Sequence, residues 1–220
     1  MSAPRGPPAP LGPPTEPAVP TEHRLRTHAR AAGIFLVLAL LLSGVVYPLA
    51  VSAVAELLVP GSAGGSLLRC PNGTVVGSVD IAQNLSAGTL GPSLFWARPS
   101  LTDYNTTLGA AVPPGPSDPA LGRLLNETID YMRLYGNLSV NATVPFWYAA
   151  PSASSVDPDL VPEAVLVQVP RVAQENNLSV AEVLALVNAH ISSPPLPYLG
   201  ESFVNVLELD MALLSLVGKC

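Results

Sequence analysis

The hydrophobic pattern divides the chain into one unbroken apolar run and a longer tract of short, punctuated elements. From Ala31 to Ala55 there are 25 consecutive residues without a charge, flanked by Arg30 and Glu56. At about 1.5 Å per residue a helix needs only about 20 residues to cross the hydrocarbon, whereas a signal peptide's apolar region runs to about 7–15. The run therefore reads as a transmembrane helix, although Ala53-Val54-Ala55 also has the small-x-small form of a signal-peptidase site. Pro48 lies well inside the run, where it removes a backbone donor and is expected to kink the helix. Ala32, Ala39, Ser43 and Ala50, spaced 7, 4 and 7 apart, place small residues on one face where a second helix could approach. An alanine-rich composition with no interface produces the same spacing.

Beyond Glu56 the pattern changes to short alternating and helical segments. Ser66–Arg69 and Thr74–Ile81, separated by Pro71-Asn72-Gly73, predict a β-hairpin. Asp118-Pro119 predicts a capped helix start, with Leu121, Leu125, Ile129 and Met132 on one face and Gly136 closing the helix. Ser179-Val180-Ala181-Glu182 is a capping box opening a second helix that carries Val183, Leu184, Leu186, Val187 and Ile191. The run Phe203–Leu209 predicts a buried strand, with Asp210 capping a short last helix that ends at Gly218. Helices and strands are mixed in order, so the fold class is α+β. The Pro-rich stretches AVPPGPSDP and ISSPPLPY read as connecting loops, because too few residues lie between them for separate cores. The organisation is then a disordered Pro-rich tail over 1–30, a transmembrane helix over 31–55 and one α+β domain over 56–220.

Charge orients this arrangement. Four arginines (Arg5, Arg24, Arg26, Arg30) face two glutamates ahead of the helix, a net +2, while six basic and fourteen acidic residues follow it, a net −8. The basic side stays in the cytoplasm, which puts the tail inside and the last 165 residues outside. An acidic exterior is a poor match for nucleic acid, which needs a basic patch.

The asparagines agree about sidedness. Seven of ten begin an Asn-x-Ser/Thr triplet: Asn72, Asn84, Asn105, Asn126, Asn137, Asn141 and Asn177. Chance placement of serine and threonine gives about 1.4, so these read as N-glycan acceptors on an exported surface, with Asn177 also explicable as part of a helix-start sequence. Cys70 and Cys220 both lie outside, where a disulfide persists, but a terminal residue is rarely fixed well enough to specify a bridge, so their pairing stays open.

No P-loop, GxGxxG, HExxH or G-x-S-x-G sequence occurs, and no paired-cysteine metal spacing. His23 and His28 precede the apolar run, which leaves His190 alone outside, at the end of an amphipathic helix, where a histidine more often serves as a C-terminal helix charge than as a catalyst.

Seven blocks taken in order carry a family resemblance: SGVVYPL, GSVDIAQN, FWARPSLTDYN, GPSDPAL, SASSVDPDL, QVPRVAQENNLS and LGESFVNVLELDMAL. Together they resemble the C subunit of the Kdp potassium-transporting ATPase over Gly33–Leu216, essentially everything but the Pro-rich tail. The resemblance implies a non-catalytic subunit of a high-affinity, ATP-driven potassium uptake pump. Its implied partners are a channel-like A subunit that selects K⁺ and a P-type ATPase B subunit, in contact with membrane lipid. Its implied role is that of a catalytic chaperone that raises the ATP affinity of the B subunit. No cofactor is expected on this chain, ATP and magnesium belonging to the ATPase subunit. The Tyr47-Pro48 helix is retained in the family as an anchor.

Residue by residue, Gln83 falls in the family's GQN-type position, with Ala82 in place of glycine. Phe95, Arg98, Pro99 and Ser100 fall in its F-x-x-RPS block, where Arg98 is expected to pair with a carboxylate of its own domain or with a partner. Asp157-Pro158 stands at the DP step, with Asp159 replacing histidine and Ser155 replacing glycine. Gln168, Arg171 and Asn205 match their blocks, each as a fold-fixing hydrogen bond or a partner contact. Asp210 replaces the usual asparagine. The competing class is a glycosylated single-pass cell-surface adhesion or solute-binding domain, which would be stable alone and indifferent to potassium. The tail has only four arginines and no phosphate cradle, so any effect on ATP affinity is expected to be allosteric.

Overall fold

The computed structural model describes residues 21–86, 91–108, 112–139 and 141–220, and they fall into two compact units, the first ending at Leu58 and the second spanning Val59–Cys220. The first unit is a continuous helix. α1 (Thr21–Leu41) passes through a π-helical turn (Leu42–Val46) into α2 (Tyr47–Leu58), and Arg24–Leu58 is long and apolar enough to span a bilayer. The first twenty residues of the expected tail lie outside the described residues. Its last ten are helical, which corrects the disordered assignment for 21–30, because the Arg-bearing flank continues the helical path of the apolar run.

Pro48 explains the π turn. It offers no N–H to the preceding turn, and the Tyr47 N–H reaches five residues back to the Leu42 carbonyl, so one extra residue is wound into the helix. Ser43 Oγ donates to the Ala39 carbonyl at 2.6 Å and supports the same turn. One inserted residue rotates everything after it by about 100°, the angle of one residue in a 3.6-residue turn. Ala32, Ala39 and Ser43 therefore share a stripe, and Ala50 is turned away from it, a change from the spacing-based expectation.

The second unit opens with a short helix, α3 (Pro60–Ala63), and the hairpin β1 (Leu67–Arg69) and β2 (Val75–Ser78), antiparallel with Leu67 opposite Ser78 and a bulge after Leu68. The turn between them needs Gly73 at φ +86°. β2 stops at Ser78, short of the expected Ile81. Cys70, in that turn, forms a disulfide with Cys220, the Cα atoms 5.2 Å apart. Cys220 is thus fixed after all, because the last helix (Val206–Leu216) delivers the chain back to the hairpin.

α4 (Pro119–Tyr135) begins as expected, with Asp118 accepting from the Ala120 N–H at 2.8 Å. It ends at Gly136, where a Cβ would meet the Met132 carbonyl at 2.4 Å. α5 (Phe146–Ala149) and β3 (Asp159–Leu160) follow. Two helices that hydrophobic periodicity does not announce come next, α6 (Pro162–Leu166) and α7 (Val169–Asn176). Pro162 and Pro170 sit in their first turns, where the missing N–H costs nothing, so prolines that look like breaks are starts. α8 (Val180–Ala189) carries the expected capping box on Ser179 and Glu182.

The expected strand Phe203–Leu209 is the largest correction. Only β4 (Val204–Asn205) is extended, pairing antiparallel with β3, and α9 (Val206–Leu216) starts immediately after it. Asn205, not Asp210, is the cap, its Oδ1 accepting from the Glu208 N–H at 3.2 Å. A continuous apolar run does not distinguish a buried strand from a buried helix by period. Asp210 lies in the helix interior, fully buried. The mixed α+β class holds, with two two-stranded ladders and a core of Phe95, Val165, Val172, Val183, Val187, Leu209 and Leu213.

Candidate functional site

The residues singled out by motif converge on one segment, Gly91 to Ser100, a 3-10 turn (Gly91–Ser93) followed by irregular chain that no strand accompanies. A buried backbone without a ladder needs other partners for its N–H and C=O groups, and side chains supply them. Gln168, at the N-cap of α7, accepts from the Trp96 N–H at 2.8 Å and donates to the Trp96 and Ala164 carbonyls, each at 3.1 Å. Arg171, one turn on, donates to the Leu94 carbonyl at 2.8 Å, to the Pro92 carbonyl, and to Gln168 Oε1 at 2.8 Å. Its guanidinium also lies 4.5 Å from the centre of the Trp96 ring. Asn176 donates to the Ser93 carbonyl at 2.7 Å. From the opposite side, Asp210 Oδ1 accepts from the Phe95 N–H at 2.9 Å.

Burial shapes the charges here. It pulls the Arg171 guanidinium below its ordinary range, opposed by Tyr148 and Asp210. It pushes the Asp210 carboxyl well above the carboxylate range, opposed by the Phe95 N–H and Arg171, and Oδ2 has no hydrogen-bond partner. The buried Tyr148 hydroxyl is raised by burial and partly offset by Arg171.

Arg98 closes the segment. Its Nη1 pairs with Asp157 Oδ2 at 3.1 Å, while Nε and Nη2 donate to the Ala150 and Pro151 carbonyls at 3.2 and 3.1 Å. The carboxylate of its own domain is thus its partner, and Trp147 stands 5.5 Å away beneath the guanidinium. After Pro99, Ser100 Oγ accepts from the Thr102 and Tyr104 N–H groups at 3.2 and 2.7 Å, and the Tyr104 hydroxyl returns to the Arg98 carbonyl at 2.8 Å. Burial, then Asp103 and Tyr131, push that hydroxyl up to about 12.

The remaining motif residues form a second cluster. Gln83 Nε2 donates to the Val76 carbonyl at 3.0 Å and covers Gly77, where a Cβ would lie 1.8 Å from that nitrogen. Ala82, in the family's glycine position, is buried with no left-handed backbone, and its N–H reaches the Val156 carbonyl at 2.9 Å. Asn205 Nδ2 donates to the Val79 carbonyl at 2.9 Å and to Asp159 Oδ1 at 3.0 Å. Burial raises the Asp159 carboxyl, against that bond. Ser155, in the other glycine position, takes φ +61° and is buried with its hydroxyl unpartnered. Tyr47 and Pro48 lie in the helical unit. Sequence reasoning missed Trp96 and the interior place of Asp210, since partners on backbone groups leave no trace in residue type.

Chemically, these side chains fix backbone and have little capacity left for a substrate. His190 is the C-cap of α8, its Nδ1 donating to the Leu186 carbonyl at 2.8 Å. Among the described residues no group of three or more His, Cys, Asp or Glu is placed to hold a metal ion.

A long apolar helix followed by a small mixed α+β domain is the class of protein that the described residues define. The profile of the family described as K⁺-transporting ATPase, c chain, matches residues 29–215. The potassium-transporting ATPase KdpC subunit of Geobacter sulfurreducens is 36% identical over 187 residues, covering 84% of this chain and 95% of the relative. Those of Variovorax paradoxus and Methanosphaerula palustris are 40% and 39% identical, over 84% and 86% of this chain and 94% and 97% of theirs. The chain belongs to the KdpC family, the non-catalytic subunit of the Kdp potassium-transporting ATPase complex. Membership sets aside the free-standing adhesion or solute-binding reading.

Proposed function

We propose that this subunit is anchored once by Arg24–Leu58, with its N-terminus in the cytoplasm and Val59–Cys220 outside. There it binds the channel-like K⁺-selecting A subunit and the P-type ATPase B subunit. In this reading it raises the ATP affinity of the B subunit through the conformation of the assembly. The observation that carries it is the family match, which runs through both the apolar helix and the domain. The net +2 ahead of the helix against −8 after it supports the orientation. With the domain outside, only the N-terminal segment is on the nucleotide's side, and it has no phosphate cradle. Linkage therefore accounts for an ATP effect better than contact does: a subunit that favours one conformation raises the affinity of any ligand that favours the same one. ATP and magnesium remain on the ATPase subunit.

Copurification tests the assembly. Tagged chain expressed with its partner genes should bring down a multi-span P-type ATPase in detergent. Recovery of the tagged chain alone, stable and unassociated, would contradict it.

A further inference from the structure

We propose that the depression between Trp96, Tyr104 and Tyr131 binds a small organic cation of the quaternary ammonium class, held by the three rings and by the Glu127 carboxylate.

The cavity measures about 290 Å³, at the lower edge of the range of about 300–1,000 Å³ usual for ligand pockets, and so suits a compact ligand. One wall belongs to α4, where Leu124, Glu127, Thr128 and Tyr131 stand at i, i+3, i+4 and i+7 and therefore share a side of the helix. The other wall is the irregular chain that Gln168 and Arg171 hold in place, carrying Trp96, together with Tyr104 just beyond it. Hydrogen bonds and ring packing fix these walls without a ligand. The Trp96 indole N–H donates to the Gly91 carbonyl at 2.7 Å and the Tyr104 hydroxyl to the Arg98 carbonyl at 2.8 Å. The ring centres of Trp96 and Tyr131 are 5.9 Å apart, tilted by 45°. A wall ordered in advance loses little freedom when a ligand enters.

Charge selects the ligand. Glu127 is the one charged side chain among the described residues that line the cavity, and it is exposed at the rim. An aromatic face is electron-rich and attracts a cation lying over it, and a quaternary ammonium also offers methyl groups that pack against the rings. An anion is repelled by Glu127 and by the ring faces alike. A divalent metal ion wants several oxygen ligands and finds one carboxylate here.

Arg171 lies over Trp96, 4.5 Å from the ring centre, and is not part of the lining. Its charge opposes a second cation at that ring, so the attraction comes chiefly from Tyr104, Tyr131 and Glu127. Two other depressions have Trp147 in their walls, but Arg98 is in both, its guanidinium 5.5 Å from the centre of that ring. A cation entering either would meet a fixed positive charge in the wall itself.

The test is calorimetric titration of the full chain in a maltoside detergent, which carries no ammonium group. The probes are choline and its uncharged isostere, in which a tert-butyl group replaces the trimethylammonium. Choline should bind saturably at one site and at least tenfold more tightly than the isostere. Glu127→Gln, at an exposed position, should weaken choline at least threefold and leave the isostere unchanged. Tyr131→Leu keeps an apolar wall and removes a ring, and should weaken choline at least tenfold. Where Tyr131→Leu disturbs folding, Glu127→Gln and the isostere decide the matter by themselves. Equal affinity for choline and the isostere overturns the cation site. Choline binding that neither substitution weakens overturns its location, and a titration without saturable choline binding overturns the proposal outright.

Discussion

Gln168 pairs with Trp96 as a neighbouring strand would, accepting from its N–H at 2.8 Å and donating to its C=O at 3.1 Å. One side chain on a helix cap thereby substitutes for a ladder along a buried segment, and Arg171 extends the pattern to Leu94 and Pro92.

Gln168→Leu is close in size and removes the side-chain bonds of Gln168 to Trp96, Ala164 and Arg171. Leaving buried amide groups unpaired costs about 1–3 kcal/mol each, so a loss of ~2–4 kcal/mol is expected after relaxation. Denaturant unfolding of the detergent-solubilised chain, read from tryptophan fluorescence, should show the fall in midpoint. An unchanged midpoint would mean that water satisfies the segment.

Asp210 gives a pH signature. Its folded-state carboxyl is raised, chiefly by burial, so the folded state holds a proton that the unfolded chain has released. The favourable contribution is complete below the unfolded value near 3.8 and is lost as pH rises toward the folded value. Asp210→Asn keeps an oxygen for the Phe95 N–H and carries no charge. It should therefore leave stability near pH 3.5 little changed and raise it increasingly toward pH 7. A variant less stable than wild type at pH 7 would show that the attraction of Arg171 outweighs burial.

Ser155 should be improvable. It combines a left-handed backbone with a buried, unpartnered hydroxyl, and glycine relieves both. Ser155→Gly is expected to stabilise by ~1–2 kcal/mol, about 2–8 °C for a domain of this size. A thermal midpoint that falls would contradict the strain.

The Cys70–Cys220 disulfide closes a loop with a sequence separation of 150. On the chain-entropy account a closure of that length is worth up to about 5 kcal/mol, and removing a native bridge typically costs about 2–5. C70S/C220S should lower the unfolding midpoint and abolish its sensitivity to reductant. A wild-type midpoint already indifferent to reductant would count against the bridge.

What the sequence revealed divides by the range of the interaction. Local signals were legible: the length of the apolar helix, Asp118 and Ser179 as caps, Gly136 as a stop. The pairing of Arg98 with a carboxylate followed from its chemistry, and Asp157 is 59 residues away. Phe203–Leu209 misled because a short apolar run suits a strand and a buried helix equally. Pro162 and Pro170 concealed α6 and α7 by looking like breaks. The extra residue wound in ahead of Pro48 moved Ala50 off a stripe that spacing alone had drawn. Gln168 and Asn205 matched family blocks, but that each serves backbone groups more than 70 residues away depends on tertiary packing.

The most direct test of the central claim is the ATP dependence of K⁺-stimulated ATPase activity in the assembled pump. It compares wild type, a chain lacking residues 2–22, and a chain ending after the long helix at Leu58. If the subunit acts through the conformation of the assembly, the tail deletion leaves the half-saturating ATP concentration unchanged while loss of Val59–Cys220 raises it severalfold. A tail deletion that weakens ATP use as much as loss of the domain would contradict the account and show direct contact at the nucleotide.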